Sequence, residues 1–340
     1  MLEFMQDVFR RFGGNFELLT DQAGVEGSAC FGTMIEAVDL VVGEIDPRLR
    51  ALPGYARRLK QPLGIAFHFI DELVEAVPGP ILCNCIAFSD DPRVSAFFVN
   101  PEHMKEVFSR SEDVRRMFDK NLEVDDCYAL LSMKKVQSKQ FGMALVGDSV
   151  RGDVLQTTVN FTDHQVLSPN IDEAGTRRAI KCLIFKDLIS YIQDRASAAK
   201  CDAIERDTRL KSLRSRLHHS VDKSDEEVNR ADLETRIAML ENDIESNGLR
   251  AASLDGTLSF VSEVFSKPAK FLVASTESIR LSRVGVLLDA GSTEPGYDVF
   301  VSQVCIGSRS PRVMALVRFL RTDLLPRQDF ITEADLFLAL

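Results

Sequence analysis

The side chains best suited to chemistry are few and scattered. The chain holds five histidines and seven cysteines among 340 residues. Cys83 and Cys85, one residue apart, are the closest thing to a metal motif. Zinc needs two more ligands at tight spacing on a turn, and none follows. Set in an apolar strand, the two thiols point to one face, so both are expected to be core thiols. His218 and His219 are adjacent and lie beside Asp222 and Asp225. Such a pair can bind a transition metal or sense pH, or simply occupy a solvated turn. His68 sits in an apolar helical stretch (Phe67, Phe69, Ile70) with Asp71 and Glu72 following. That allows an acid–base dyad, against the plainer reading of a boundary histidine. His103 at a helix start and His164 near a strand end have no partner visible in sequence.

The acidic pairs Asp90-Asp91 and Asp125-Asp126, and Asp148 with Asp153, fall in expected turns. Carboxylates there suit a divalent cation, but no EF-hand spacing is met and aspartate is a turn former in its own right. Arg151-Gly152-Asp153 reads as a hairpin turn. Neither glycine-rich phosphate loop occurs, nor H-E-x-x-H, nor G-x-S-x-G. The chain has no tryptophan, which argues against sugar or quaternary-ammonium sites lined by large rings. No cofactor and no metal is expected from these patterns.

The elements that must position these residues are more informative. Hydrophobic residues at 45% and charged residues at 27% are ordinary globular values. The length predicts two or three domains. A net charge of −10 disfavours a general nucleic-acid or anionic-membrane binder. No apolar run approaches the ~18 residues of a spanning helix. Glu3 and Asp7 stand where a secretory signal is basic and then apolar. An odd, dispersed cysteine set suggests reduced thiols and a cytoplasmic home.

Helical periodicity predicts helices at 1–12 (Leu2, Met5, Val8, Phe9, Phe12), 31–44, 63–77 and 102–118, the last with a break at Ser111 and Glu112. Short apolar runs at 81–88 and 94–99 read as strands. From Asp126 the period becomes two, so 126–166 is expected to be a three-stranded antiparallel meander, turning at 147–148 and 151–153. Residues 271–288, 299–306 and 313–320 repeat the β theme.

Between these β regions apolar residues recur at alternating steps of three and four. They run from Cys182 through Phe185, Ile189, Ile192, Ala196, Ala199 and Ala203 to Leu210, Leu213 and Leu217. The pattern resumes at Leu233, Ile237, Leu240 and Ile244 and continues to Phe265, with Gly248 and Gly256 as weak points. A basic stretch, 206–216, and an acidic one, 222–234, would lie side by side if the helices 182–217 and 228–265 folded back on each other.

The expected fold is α+β. Residues 1–125 form a mixed helical part of a head, and 126–181 a meander leading into an arm helix. An antiparallel coiled-coil hairpin occupies 182–267, and 268–340 completes the head. The expected function is a non-enzymatic interaction or assembly protein whose arm engages a protein partner or a second copy. The arm tip, His218, His219, Val221 and Lys223, is the expected partner-binding site. The alternative is an enzyme whose site gathers residues distant in sequence, with His68, Asp90, Asp91 and His164 as candidates. The N-terminal helix (Phe9, Arg10, Arg11, Phe12) suits docking onto the head more than a membrane surface. The acidic, apolar tail 329–340 suits a final core helix or a docking peptide.

Overall fold

A computed structural model describes residues 33–146, 149–219, 227–243, 253–289, 292 and 294–327. The expected helix at 1–12, the tip residues Val221 and Lys223, and the tail 329–340 lie outside the described residues, as does the side chain of His219.

Local capping chemistry decides most helix starts. Helix α1 (Met34–Ile45) opens with a reciprocal capping box between Thr33 and Glu36. A 3-10 turn, Pro47–Ala51, starts at Asp46, and α2 spans Tyr55–Glu75. After the short strand β1 (Ile81–Cys83) come α3 (Cys85–Asp90), α4 (Pro92–Phe97), α5 (Pro101–Ser109) and α6 (Glu112–Lys120). These four are capped in turn by Asn84, Asp91, Asn100 and Ser111. Two long strands follow, β2 (Asp126–Val146) and β3 (Ser149–Asn170), then the 47-residue α7 (Glu173–His219). Helices α8 (Glu227–Asp243), α9 (Leu254–Ser266) and α10 (Pro268–Phe271) precede β4 (Leu272–Leu281), β5 (Tyr297–Ile306) and β6 (Arg312–Leu320).

The strands form one sheet in the order β3-β2-β6-β5-β4, antiparallel throughout, with β1 added parallel to β6. It curls into a half-barrel. Residues after β4 bridge its two edges: Val286 pairs with Thr158 of β3, and Leu287 with Leu281 of β4. Val159 N–H donates to Gly285 O at 2.8 Å and Leu287 N–H to Thr157 O at 2.8 Å. The last described strand, β6, is central to the sheet, so strands from before and after the α7–α9 region join in one sheet.

Alternation along the strands creates two cores. Cys127, Ala129, Leu131 and Met133 of β2, with Val313, Ala315, Val317 and Phe319 of β6, pack inside the curl against α4, α5 and α6. Leu130 and Leu316 face the other way, onto a helical layer of α1, α2, α7 and α9. Helix α7 is tied down along its first half. Arg177 donates to the carbonyls of Val74 at 2.6 Å and Val77 at 3.0 Å, and Lys181 meets Asp71 at 3.1 Å. Lys200 reaches Asp46 at 2.9 Å. Asp46 is buried, and its hydrogen bonds from Arg48 and Lys200 hold its carboxyl far below the usual carboxylate range.

Several expectations change. Residues 81–88 and 94–99 are not two strands: only Ile81–Cys83 pairs in the sheet. Asn84 accepts from Ala87 N–H at 2.7 Å and Asp91 from Arg93 N–H at 2.9 Å, with Pro92 at the first helical position. These caps override the apolar runs. Cys83 is therefore buried while Cys85 begins a helix and is exposed, so the two thiols do not share a face. The meander is a hairpin of two strands, since β3 runs through 151–153 without turning. The helix expected at 228–265 is interrupted: Ser253 caps α9 anew, its Oγ accepting from Gly256 N–H at 3.0 Å. Leu258, Val261 and Phe265 then pack in the helical layer, where Arg58 pairs with Asp255 at 2.6 Å. Cys83, Cys85, Cys127, Cys201 and Cys305 are free thiols, but Cys182 is disulfide-bonded, so the cysteines are not uniformly reduced.

Beyond Lys200 the seam of α7 keeps its period of burial. Ala203, Arg206, Leu210, Leu213 and Leu217 are the sheltered positions, their neighbours exposed. Helix α8 packs on this part of α7, with Leu233 and Ile237 buried. Arg214 pairs with Glu241 at 2.6 Å, an acid beyond the 222–234 block, while Lys211 pairs with Asp207 on its own helix.

Candidate functional site

A cluster of polar side chains lies on β3, where the strand slips register. Ser132 stands opposite Gln165 and Lys134 opposite Thr162, so Met133 faces both Asp163 and His164. This is a β-bulge, a device that re-aims side chains. Asp163 takes the left-handed conformation it requires (φ 52°), which a short polar side chain tolerates better than most. Arg312, at the start of β6, clamps the bulge. Its Nη1 donates to Asp163 Oδ2 at 2.6 Å and its Nη2 to Asp163 O at 2.7 Å, while Nε donates to the buried Ser132 Oγ at 2.7 Å.

The bulge turns His164 toward α4 and α5. Its Nε2 lies 2.7 Å from Phe97 O. A carbonyl only accepts, so Nε2 carries the hydrogen, and the neutral ring keeps a lone pair on Nδ1. The ring stacks on Phe98 (centroids 5.3 Å apart) and meets His103 edge-on at 5.1 Å. His103 is held by the start of α5: Asn100 caps its N–H at 2.6 Å, and its Nδ1 accepts from Val99 N–H at 3.4 Å. The neutral His103 ring therefore carries its hydrogen on Nε2. Burial pushes the His164 imidazole below its ordinary pKa, the Phe97 carbonyl opposes that shift, and His103 adds to it. His164 thus keeps a lone pair on Nδ1 and His103 an N–H on Nε2.

The remaining expected residues do not join this cluster. His68 is exposed on α2, 3.3 Å from Glu72. It lines an open groove with Ile65, Phe69, Lys267, Pro268 and Lys270. The Asp91 carboxylate is engaged by Arg93 at 2.6 Å, and Asp90 is exposed at the end of α3. His218 is exposed on the last turn of α7. Among the described residues no group of three or more His, Cys, Asp or Glu converges on a point.

Three features escaped the sequence reading. The His103–His164 pairing needs α5 to fold against β3, which no spacing reveals. The bulge did leave a trace: Val159 and Phe161 are buried, then Val166, and the change from odd to even positions marks an inserted residue. A third is Asp187 on α7, half-buried, whose carboxyl is pushed up to about 6 by burial, with Arg309 pulling the other way.

Comparison with known proteins finds no match to this chain among family models, curated proteins or solved structures.

Proposed function

We propose that this chain is an interaction or assembly protein whose α7–α8 pair forms an antiparallel coiled-coil arm that engages a protein partner. One observation carries the reading. Past Lys200, which pairs with Asp46, helix α7 keeps a sheltered seam as far as Leu217, with α8 packed on it. Nineteen further residues at ~1.5 Å each make an extension of roughly 28 Å, and such a lever contributes nothing to the head's own core. Ile204 and Met239, 67% and 68% exposed, are large apolar side chains off the seam, of the kind that mark contact surfaces. The tip, with His218, His219, Val221 and Lys223, is the end of the lever and the proposed partner-facing site. No described helix is long and apolar enough to cross a membrane.

The test is site-specific photo-cross-linking in cells, with a reactive side chain at Ile204 or Met239 and a control at the exposed head residue Ile86. The proposal expects cross-links to a discrete protein from the arm positions. Cross-links from Ile86 alone would overturn it. The imidazole pair favours a second reading, an enzyme whose site joins His103, His164 and Arg312 from distant parts of the chain. Turnover of model esters that is abolished by His164→Gln would favour that reading; identical background rates would count against it.

A further inference from the structure

Strand β2 has two edges, and along one of them the described residues pair only part of its length. Along the first, β3 pairs all the way to Val146 opposite Ser149. Along the second, β6 pairs from Asp126 to Met133 and stops. From Lys134 to Val146 that second edge has no strand partner among the described residues. At ~3.3 Å per residue this leaves about 40 Å of unpaired backbone donors and acceptors. A two-stranded ribbon is marginal in water, and an open edge is a template for another strand.

The face of this ribbon is also incomplete. Phe161 and Val159 point into the half-barrel core. Farther out on the same face, Phe141 and Leu155 stand directly opposite each other in the ladder, 74% and 57% exposed. The apolar strip therefore runs out of the core into solvent at the place where the edge is open.

The sequence of the edge says what pairs there. Lys134, Lys135 and Lys139 occupy its first part, and Lys135 is already bound to Glu277. Residues 140–146 (Gln, Phe, Gly, Met, Ala, Leu, Val) carry no charge, and no proline blocks any of the run. Such an edge is complementary to itself in one direction only. Laid parallel on its own copy, each lysine would face a lysine. Laid antiparallel about the middle of the free edge, at Gln140, Lys139 faces Phe141 of the second copy and Lys134 faces Val146. The two Phe141 rings then become diagonal neighbours, within reach of each other, and join both Leu155 side chains in one strip across four strands.

We infer that the β2 edge, residues 134–146, is a homodimer interface, in which a second copy adds its own β2 antiparallel about Gln140 to form a continuous β3-β2-β2-β3 ribbon. This stands on the sheet and does not depend on the arm.

The experiment is light scattering and sedimentation of the full chain, with two variants at one position. Phe141→Lys and Phe141→Glu lose the same ring, but about the Gln140 axis the first faces Lys139 with a like charge twice and the second with an opposite charge twice. The wild type is expected at twice 37.9 kDa. Phe141→Lys is expected to dissociate about tenfold more readily than Phe141→Glu, and the difference should shrink in high salt. A wild type that stays monomeric at about 100 µM, far above the Kd of a stable dimer, overturns the proposal. So does a dimer that both variants weaken equally, or one that neither affects. Urea unfolding of both variants checks that the head is intact.

Discussion

Replacing Asp187 by Asn should make the protein more stable at neutral pH, and the size of the effect can be worked out. The carboxyl moves from its ordinary 3.8 to about 6 because burial disfavours its charged form, and this outweighs the pull of Arg309. A raised carboxyl pKa means that the folded state holds the proton more tightly than the unfolded chain. Stability is then full below about pH 4 and is lost as pH rises through about 6. Two pKa units at 1.36 kcal/mol each put the cost at pH 7 at no more than about 3 kcal/mol. Asparagine cannot ionise, so it escapes this cost while keeping nearly the same shape. Urea unfolding of wild type and Asp187→Asn at pH 4, 5.5 and 7.5 tests the reasoning. The two curves should coincide at pH 4 and separate steadily, with the variant about 2–3 kcal/mol ahead at pH 7.5. Arg309 keeps its contact with Asp194 at 2.8 Å, so the variant does not strip that guanidinium of partners. A variant equal to or weaker than wild type at pH 7.5 would refute the argument, because the Arg309 attraction would then exceed the burial penalty.

Three further outcomes are expected. His164 has a depressed pKa, so its contribution is whole above pH 6.5 and fades as pH falls through the folded-state value; His164→Asn should flatten stability between pH 7.5 and 5, read as urea midpoints. Arg312→Ala should cost about 2–3 kcal/mol, because it frees the bulge carboxylate and the buried Ser132 hydroxyl together, whereas Arg312→Lys should recover only part, lacking the fork; chemical denaturation separates the two. Leu210→Ala should weaken the α7–α8 contact by about 2–3 kcal/mol while the exposed Ser212→Ala changes little, a contrast that hydrogen exchange across 203–217 detects without unfolding the head.

Much of the architecture was legible because periodicity survives folding. The β character of 126–166 and of the three runs after 271, and the helix break at Ser111, stand where spacing put them. Two kinds of feature did not show. Apolar runs such as 81–88 are ambiguous between buried strand and short helix, and a single cap, Asn84 or Asp91, settled the matter locally. Long strands were mistaken for more numerous short ones, because β2 and β3 are about four times the usual strand length and a turn was assigned where a strand simply continues. The candidate site was least legible. His164, Arg312 and His103 come from β3, β6 and α5, and only the curl of the sheet and the packing of α5 on it assemble them. What sequence held was the phase slip between Phe161 and Val166, a sign of a bulge without a sign of what it aims at.

The position of β6 has a consequence for synthesis. Ser132 of β2 and Arg312 of β6 touch across a separation of 180 residues, with all of α7, α8 and α9 in between. A ribosome adding ~5–20 residues per second needs roughly 10–40 s to cover that distance. Throughout that interval the β2–β3 hairpin has left the tunnel without the strand that fills the groove beside Cys127, Ala129 and Leu131. The nascent head is thus a half-built curl with an apolar lining, and its closure is postponed until almost the last part of the chain appears. Helix α7 forms from local contacts and directly follows the hairpin, so it can shield the outer face during the wait. The inner face has no such early cover except α4, α5 and α6, which are translated ahead of the hairpin and can seat on it at once. Order of synthesis and order of layers therefore agree on both faces, and the edge reserved for β6 stays open until that strand is made.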